Sequence, residues 1–183
     1  MKRILTIIFI FVSVSLYSQR TNLSSLEGTW EWKDNSTDSE FVIILKKINF
    51  NWPQILGGAL DSALVGGYKY KKNGIILHNN IAEINHNFAE PIEYSIWIND
   101  YLGLSVRDYL TANGRGEYKY LSGQSKIMIV SESNPMQIRW IINDNSEQVV
   151  VVFDNEDPDQ YIFPKGTALP SDIVLTKVES GVE

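Results

Sequence analysis

Short stretches rich in β-branched and aromatic residues recur along the chain, and this recurrence restricts its fold more than any other feature. Turn-forming residues separate the stretches: Asn73-Gly74 is the strongest hairpin signal, and Asn113-Gly114 is a second one. Short strands at regular spacing with turns between them are typical of a β-sandwich or β-barrel. The pattern predicts strands over Gly28–Lys33, Glu40–Ile48, Gly67–Lys72, Gly74–Asn79, Glu93–Ile98, Leu102–Leu110, Gly116–Leu121, Lys126–Ser131, Gln137–Ile142, Glu147–Phe153 and Asp172–Val178.

Alternation of side-chain character within these stretches favours strands over helices. Tyr68 and Tyr70 alternate with lysines, and Ile138 and Trp140 share a face with Arg139 between them. Successive side chains of a strand point to opposite faces, so this pattern predicts a sheet with one buried and one wet face.

The N-terminus has the pattern of a cleavable signal peptide. Lys2 and Arg3 precede the apolar run Ile4–Tyr17, which has the length of a signal-peptide core and is shorter than the ~20 residues of a membrane span. Cleavage is expected after Tyr17-Ser18-Gln19, so residues 1–19 are predicted to be the signal peptide. The expected location is secreted or periplasmic, with no membrane span after cleavage.

The remaining residues, 20–183, are expected to form a single β-barrel domain, because the length suits one domain and no linker or internal repeat divides them. One stretch, Pro53–Ala63, could be either a helix or a loop, since Gly57-Gly58 interrupts it.

Charge and cysteine content exclude several classes of function. The formal charge is −6 and no basic run is present, so nucleic acid is not an expected partner. The chain has no cysteine, which excludes disulfides, zinc–thiolate sites and iron–sulfur clusters. His78 and His86 are the only histidines, and their spacing matches no metal pair. No cofactor, metal site or catalytic residue is therefore predicted, and the acidic run 154–159 is interpreted as a solvated loop rather than a calcium site.

Aromatic residues offer the candidate ligand site. Trp32, Tyr118, Tyr120 and Trp140 either line a cavity for a small apolar or amphipathic ligand or fill the barrel core. A barrel of about eight strands is only just wide enough for either arrangement.

The segment Gly28-Thr29-Trp30 resembles the Gly-x-Trp signature of lipocalins. That resemblance implies an antiparallel, lipocalin-like β-barrel of roughly 8–10 strands, in which Trp30 closes one end and an arginine from a late strand packs across its ring. Arg139 is the arginine expected in that role. The Tyr-Ser-Gln ending, Ile-Arg-Trp at 138–140 and the closing segment 169–177 add a resemblance to uncharacterised small secreted proteins of Bacteroidota-type bacteria.

Two hypotheses for function follow. The first is an exported carrier-type barrel that binds a small ligand and has no catalytic activity. The alternative is a solid-cored barrel that acts as a protein- or polysaccharide-interaction module at the cell envelope. An open apolar cavity with convergent polar groups would favour the first, and a packed centre with an exposed apolar patch would favour the second. The oligomeric state does not follow from the sequence.

Overall fold

The structure, a computed structural model, describes residues 22–51, 60–88, 91–99, 101–108, 119–121, 125–143 and 167–178. Within these residues, three short 3₁₀ helices accompany one antiparallel sheet of ten strands. The helices are η1 Leu23–Leu26, η2 Ile81–Asn85 and η3 Pro91–Glu93, and the strands are β1 Gly28–Asp34, β2 Ser39–Asn51, β3 Leu60–Lys72, β4 Ile75–Asn79, β5 Ile96–Ile98, β6 Leu104–Asp108, β7 Lys119–Leu121, β8 Lys126–Ser131, β9 Gln137–Ile141 and β10 Asp172–Val178. None of these helices has the length and apolar character needed to cross a membrane.

The strands follow one another around a strongly curled sheet, and the first strand pairs with the last. Their order is β7-β6-β5-β3-β2-β1-β10-β9-β8, with β4 paired to β3. Strands β4 and β5 lie one after the other along the same edge of β3. Strands β7 and β8 are likewise arranged one after the other beside β6. Strand β7 pairs with the second half of β6, and Gly103, just before β6, forms a β-bridge with Lys126 at the start of β8.

That bridge brings the two ends of the sheet together. Leu104 N donates to Ser125 O over 3.0 Å, and Ile127 N donates to Leu102 O over 2.9 Å. If β4 with β5 and β7 with β8 are each taken as one broken strand, the chain forms an up-and-down ring of about eight positions. The predicted all-β, antiparallel barrel is confirmed.

The hairpin signal at Asn73-Gly74 is also confirmed, because this dipeptide joins β3 to β4. Both residues have positive φ, 51° for Asn73 and 78° for Gly74, as a type I′ turn requires. All but one of the predicted strand ranges overlap an observed strand. The exception, Glu147–Phe153, lies outside the described residues.

Strand β3 begins earlier than predicted. Residues 60–63, which were expected to be helix or loop, form its start, and residues 52–59 lie outside the described part of the chain. The strand runs through Gly66-Gly67 without ending. A Cβ at Gly66 would lie well within 3.0 Å of the Ile44 carbonyl oxygen on β2, so glycine serves here to let two backbones approach.

Replacing Gly66 with alanine is therefore expected to destabilise the protein by about 1–3 kcal/mol, the usual cost of overpacking a tight site. The clash is with backbone, which cannot rotate away as a side chain can. Urea unfolding of the variant measures the loss. The control is Ser62→Ala on the same strand, and equal midpoints for the two variants would contradict the prediction.

Candidate functional site

One end of the barrel is closed by Trp30 and the helix that precedes it. Trp30 is fully buried, and its Nε1 donates to the Leu26 carbonyl oxygen over 2.9 Å. Leu23 and Leu26 of η1 are also buried beside it. The Lys177 ammonium lies 5.5 Å from the centroid of the Trp30 ring and donates to Ser25 O over 2.8 Å. We call this arrangement the plugged end.

The cation on Trp30 is not the one expected. Arg139 lies on the outer face of β9, where its guanidinium makes two hydrogen bonds of 2.7 and 2.6 Å to the Asp172 carboxylate. Its neighbours Ile138 and Trp140 are buried, so strand alternation turns Arg139 outward. The expected Arg139–Trp30 contact is therefore wrong. Lys177 takes that place because it is directly opposite Trp30 in the β1–β10 pairing.

Substitutions of the two cations are expected to differ. Lys177→Met should lower the free energy of unfolding by about 0.5–2 kcal/mol, because it removes a partly desolvated cation–π contact. Arg139→Met should leave the urea midpoint almost unchanged, since its ion pair is exposed. Urea unfolding of both variants tests this, and a larger loss for Arg139→Met would reverse the assignment.

Aromatic rings fill the barrel interior in the described part of the chain. Phe41 lies at the centre of the group, and its ring centroid is 5.3 Å from that of Trp140, 5.8 Å from that of Tyr68 and 5.9 Å from that of Tyr70. Trp140 is fully buried, and its Nε1 donates to the Pro170 carbonyl oxygen over 3.1 Å. These rings contact one another within the core.

Of the four candidate ligand residues, only Trp32 and Trp140 have described side chains, so the predicted ligand site as a whole stays a prediction. Trp140 belongs to the core, and Trp32 is partly buried and packs against it. Tyr120 pairs through its backbone with Arg107. Its side chain, like the whole of Tyr118, lies outside the described residues.

Polar groups gather next to the aromatic interior, where β3, β4 and β6 meet. Asp108 is fully buried, and its Oδ2 accepts a hydrogen bond of 2.7 Å from Thr167 Oγ1. The Tyr68 hydroxyl donates to Arg107 O over 2.9 Å. The half-buried ring of His78 lies 5.0 Å from the Tyr68 ring. Burial lowers the pKa of His78, and the charges of Glu83 and Asp108 oppose that shift.

A second polar network holds η2 against the sheet. Asn80 Oδ1 accepts from Tyr68 N over 2.6 Å, and its side-chain amide donates to Ser95 Oγ. Glu83 Oε2 accepts from both the backbone N and the Oγ of Ser95, over 3.0 and 2.6 Å. These bonds attach η2 to β3 and to the start of β5, which is a structural role. Nowhere in the described ranges do three or more His, Asp or Glu side chains stand close enough to hold a metal ion.

Two surface features have the character of binding sites. A cleft of about 500 Å³ opens beside the plugged end, with Met136 and Val178 as apolar walls and Glu132 and Lys177 as charged ones. This volume is within the ~300–1,000 Å³ range of small-molecule sites. The cleft is formed by the start of β1, the β8–β9 turn and the end of β10, so no local sequence motif could reveal it.

The second feature is strand β4. Ile75, Ile76 and Leu77 are 65, 56 and 41% exposed, although all three are large aliphatic residues in consecutive positions. Among the described strands, β4 pairs only with β3. We call Ile75–Leu77 the aliphatic edge.

One family model matches residues 1–178 of the chain, and its description is a family of unknown function, DUF6705. No curated protein matches the chain. No solved structure matches it either.

Proposed function

The chain belongs to the DUF6705 family, and we propose that it is an exported, non-catalytic binding module whose solid-cored barrel presents the aliphatic edge to a protein partner. The exposure of the three consecutive aliphatic side chains Ile75, Ile76 and Leu77 is the observation that carries the proposal. A large exposed apolar patch on a folded domain typically marks an interaction site.

The packed interior supports a role at the surface rather than in the centre. Phe41, Tyr68 and Trp140 are fully buried, and the Phe41 ring contacts both of the others. A ligand that separated these rings would remove contacts worth several kcal/mol.

The chemistry of the edge favours a protein over a polysaccharide. Its three side chains are aliphatic, whereas sugar rings are bound by stacking on aromatic faces. Full burial of one Ile or Leu is worth about 1.5–3 kcal/mol. Three partly exposed ones can therefore supply a substantial share of the ~8 kcal/mol that a micromolar complex needs.

Incorporation of a photoreactive amino acid tests the proposed surface. We expect the probe at Ile76 to form adducts with protein when the chain is irradiated in the cells that produce it. The matched control is Met128, which is 43% exposed on β8 and lies outside the aliphatic edge. Absence of adducts at Ile76, or the same adducts from both positions, would contradict the proposal.

Export forms the second part of the proposal and is supported by the basic and apolar pattern of residues 1–19. We expect the mass of the protein isolated from its own cells to correspond to a chain that begins at Arg20. Recovery of a chain that still starts at Met1 from the cytosol would contradict this expectation.

A second candidate function is the binding of a small amphipathic ligand in the cleft at the plugged end. The observation that favours it is the combination of ligand-sized volume, apolar walls and the charges of Glu132 and Lys177. Native mass spectrometry of protein purified from its own cells is the test. A co-purifying small molecule that is lost in Met136→Glu supports this function, and repeated detection of the protein mass alone contradicts it.

A further inference from the structure

The cleft at the plugged end carries an excess of negative charge. Its walls include the carboxylates of Glu27 and Glu132 and one ammonium group, that of Lys177. The chain as a whole is also acidic, with a formal charge of −6. Because a cleft with one prevailing sign of charge concentrates ligands of the opposite sign, this cleft favours a cationic ligand over an anionic one.

The Lys177 ammonium is already engaged within the plugged end, which makes it a poor partner for an anionic ligand. It donates to the Ser25 carbonyl oxygen over 2.8 Å and lies 5.5 Å from the centroid of the Trp30 ring. Gly28 leaves room for this arrangement, since a Cβ there would lie 3.3 Å from Lys177 Cε. An anion that drew the ammonium further into the cleft would weaken its contacts with Ser25 and Trp30.

The Glu132 carboxylate, in contrast, is available to a ligand. Glu132 is exposed in the turn between β8 and β9, and none of the lysines and arginines in the described ranges forms an ion pair with it. Glu27 uses one carboxylate oxygen, Oε1, to accept a hydrogen bond of 2.7 Å from Lys47 N. An ammonium group has three N–H donors and forms charge-assisted hydrogen bonds with carboxylates, so a ligand with such a group has partners in this wall.

The apolar wall of the cleft suits a hydrocarbon chain attached to such a cation. Met136 is partly buried and packs against the core, and Val178, also partly buried, ends β10. Methionine side chains are flexible and adapt to irregular apolar groups. Each CH₂ group that is fully buried on such a wall contributes roughly a fourfold gain in affinity.

On these grounds we infer that the ligand of the cleft is a small cationic amphiphile, with an ammonium group beside the Glu132 carboxylate and an apolar chain against Met136. This inference rests on the second candidate function, the binding of a small amphipathic ligand in the cleft, and specifies the charge of that ligand. The aliphatic edge takes no part in it.

Methionine methyl groups give a direct readout of binding, because the chain contains three methionines and the structure describes Met128 and Met136. Met136 lines the cleft, whereas Met128 is 43% exposed on β8 and does not line it. In protein labelled with ¹³C at these methyl groups, octylammonium is expected to shift the Met136 signal in a saturable way and to leave the Met128 signal in place. Octanol should bind at least threefold more weakly, since it gains nothing from the carboxylates, and octanoate at least tenfold more weakly, since they repel it.

Two charge-matched variants locate the ammonium group. Glu132→Gln should weaken the binding of octylammonium about threefold, within the range for an exposed ion pair, and leave that of octanol unchanged. Asp172→Asn makes the same change of charge at the opposite end of β10 from Val178 and should leave the binding of both probes unchanged. Glu132 and Asp172 are both exposed, so neither substitution is expected to disturb the fold.

The outcomes separate this inference from the function on which it rests. If octanoate or octanol binds at Met136 as tightly as octylammonium, or if Glu132→Gln and Asp172→Asn have the same effect, the cleft still binds amphiphiles and the inference about charge is wrong. If none of the three probes shifts the Met136 signal, or if the Met128 signal always shifts with it, both the cleft function and the inference are wrong.

Discussion

Replacing Trp30 with alanine is expected to lower the free energy of unfolding by about 3–5 kcal/mol, the range for removing a large buried aromatic side chain. Trp30 is fully buried and is held both by its hydrogen bond to Leu26 O and by the Lys177 ammonium. Its loss leaves the Leu26 carbonyl oxygen without its indole donor and the Lys177 ammonium without the ring beneath it. Urea midpoints of the natural and variant proteins measure the effect.

Trp32→Ala is the matched control for this prediction. It removes the same side chain two positions along the same strand, where the indole is only partly buried. We expect a clearly smaller loss for Trp32→Ala. If Trp30→Ala leaves the midpoint unchanged, the plugged end does not contribute to stability and the comparison with lipocalins fails.

Trp140→Ala is expected to cost a similar amount, about 3–5 kcal/mol, because Trp140 is a core residue in contact with Phe41. The two rings lie nearly edge to face, at an interplanar angle of 62°. A double-mutant cycle with Phe41→Leu should give a coupling energy of about 0.5–1.5 kcal/mol. Thermal or urea unfolding of the four proteins provides both values.

The same variant distinguishes a core residue from a cavity residue. A tryptophan that lines an open ligand site can be removed with little change in stability but a large change in binding. A loss below about 1 kcal/mol for Trp140→Ala would therefore contradict the solid core. It would favour a ligand within the barrel.

Much of the fold could be predicted from the sequence because local physics determines it. Alternation at Tyr68–Tyr70 and Ile138–Trp140 predicted the buried face, and those residues are indeed buried. The Asn73-Gly74 signal identified its hairpin because few residues tolerate positive φ at both turn positions.

The errors arose where pairing between distant strands decides the outcome. The predicted strand began only at Gly67, whereas β3 begins at Leu60 and passes through Gly66 and Gly67, which permit close contact with Ile44 and Asn80 from other elements. Lys177 meets Trp30 only because the first and last strands pair in that register. For Arg139, the alternation of side chains along β9 already indicated that this side chain points outward. The expected contact with Trp30 came from the family resemblance and ignored that alternation.

The surface features could not be predicted for the same reason. The run Ile75–Leu77 reads as an ordinary apolar strand, and its exposure depends on β4 having a strand neighbour on one side only among the described residues. The cleft at the plugged end requires three distant segments to meet. Neither the exposure of Ile75–Leu77 nor the presence of the cleft can be inferred from a short segment of sequence.

The pairing of β1 with β10 also has a consequence for how the molecule is made. Lys177 binds to Ser25 across 152 positions of chain, so the ring cannot close until nearly the whole polypeptide is available. A growing chain that lacks Asp172–Val178 leaves one side of β1 without its partner and the Trp30 indole without its cation. Such late closure delays folding until synthesis ends, which suits the export that we propose, because a chain must be unfolded to pass through a membrane pore.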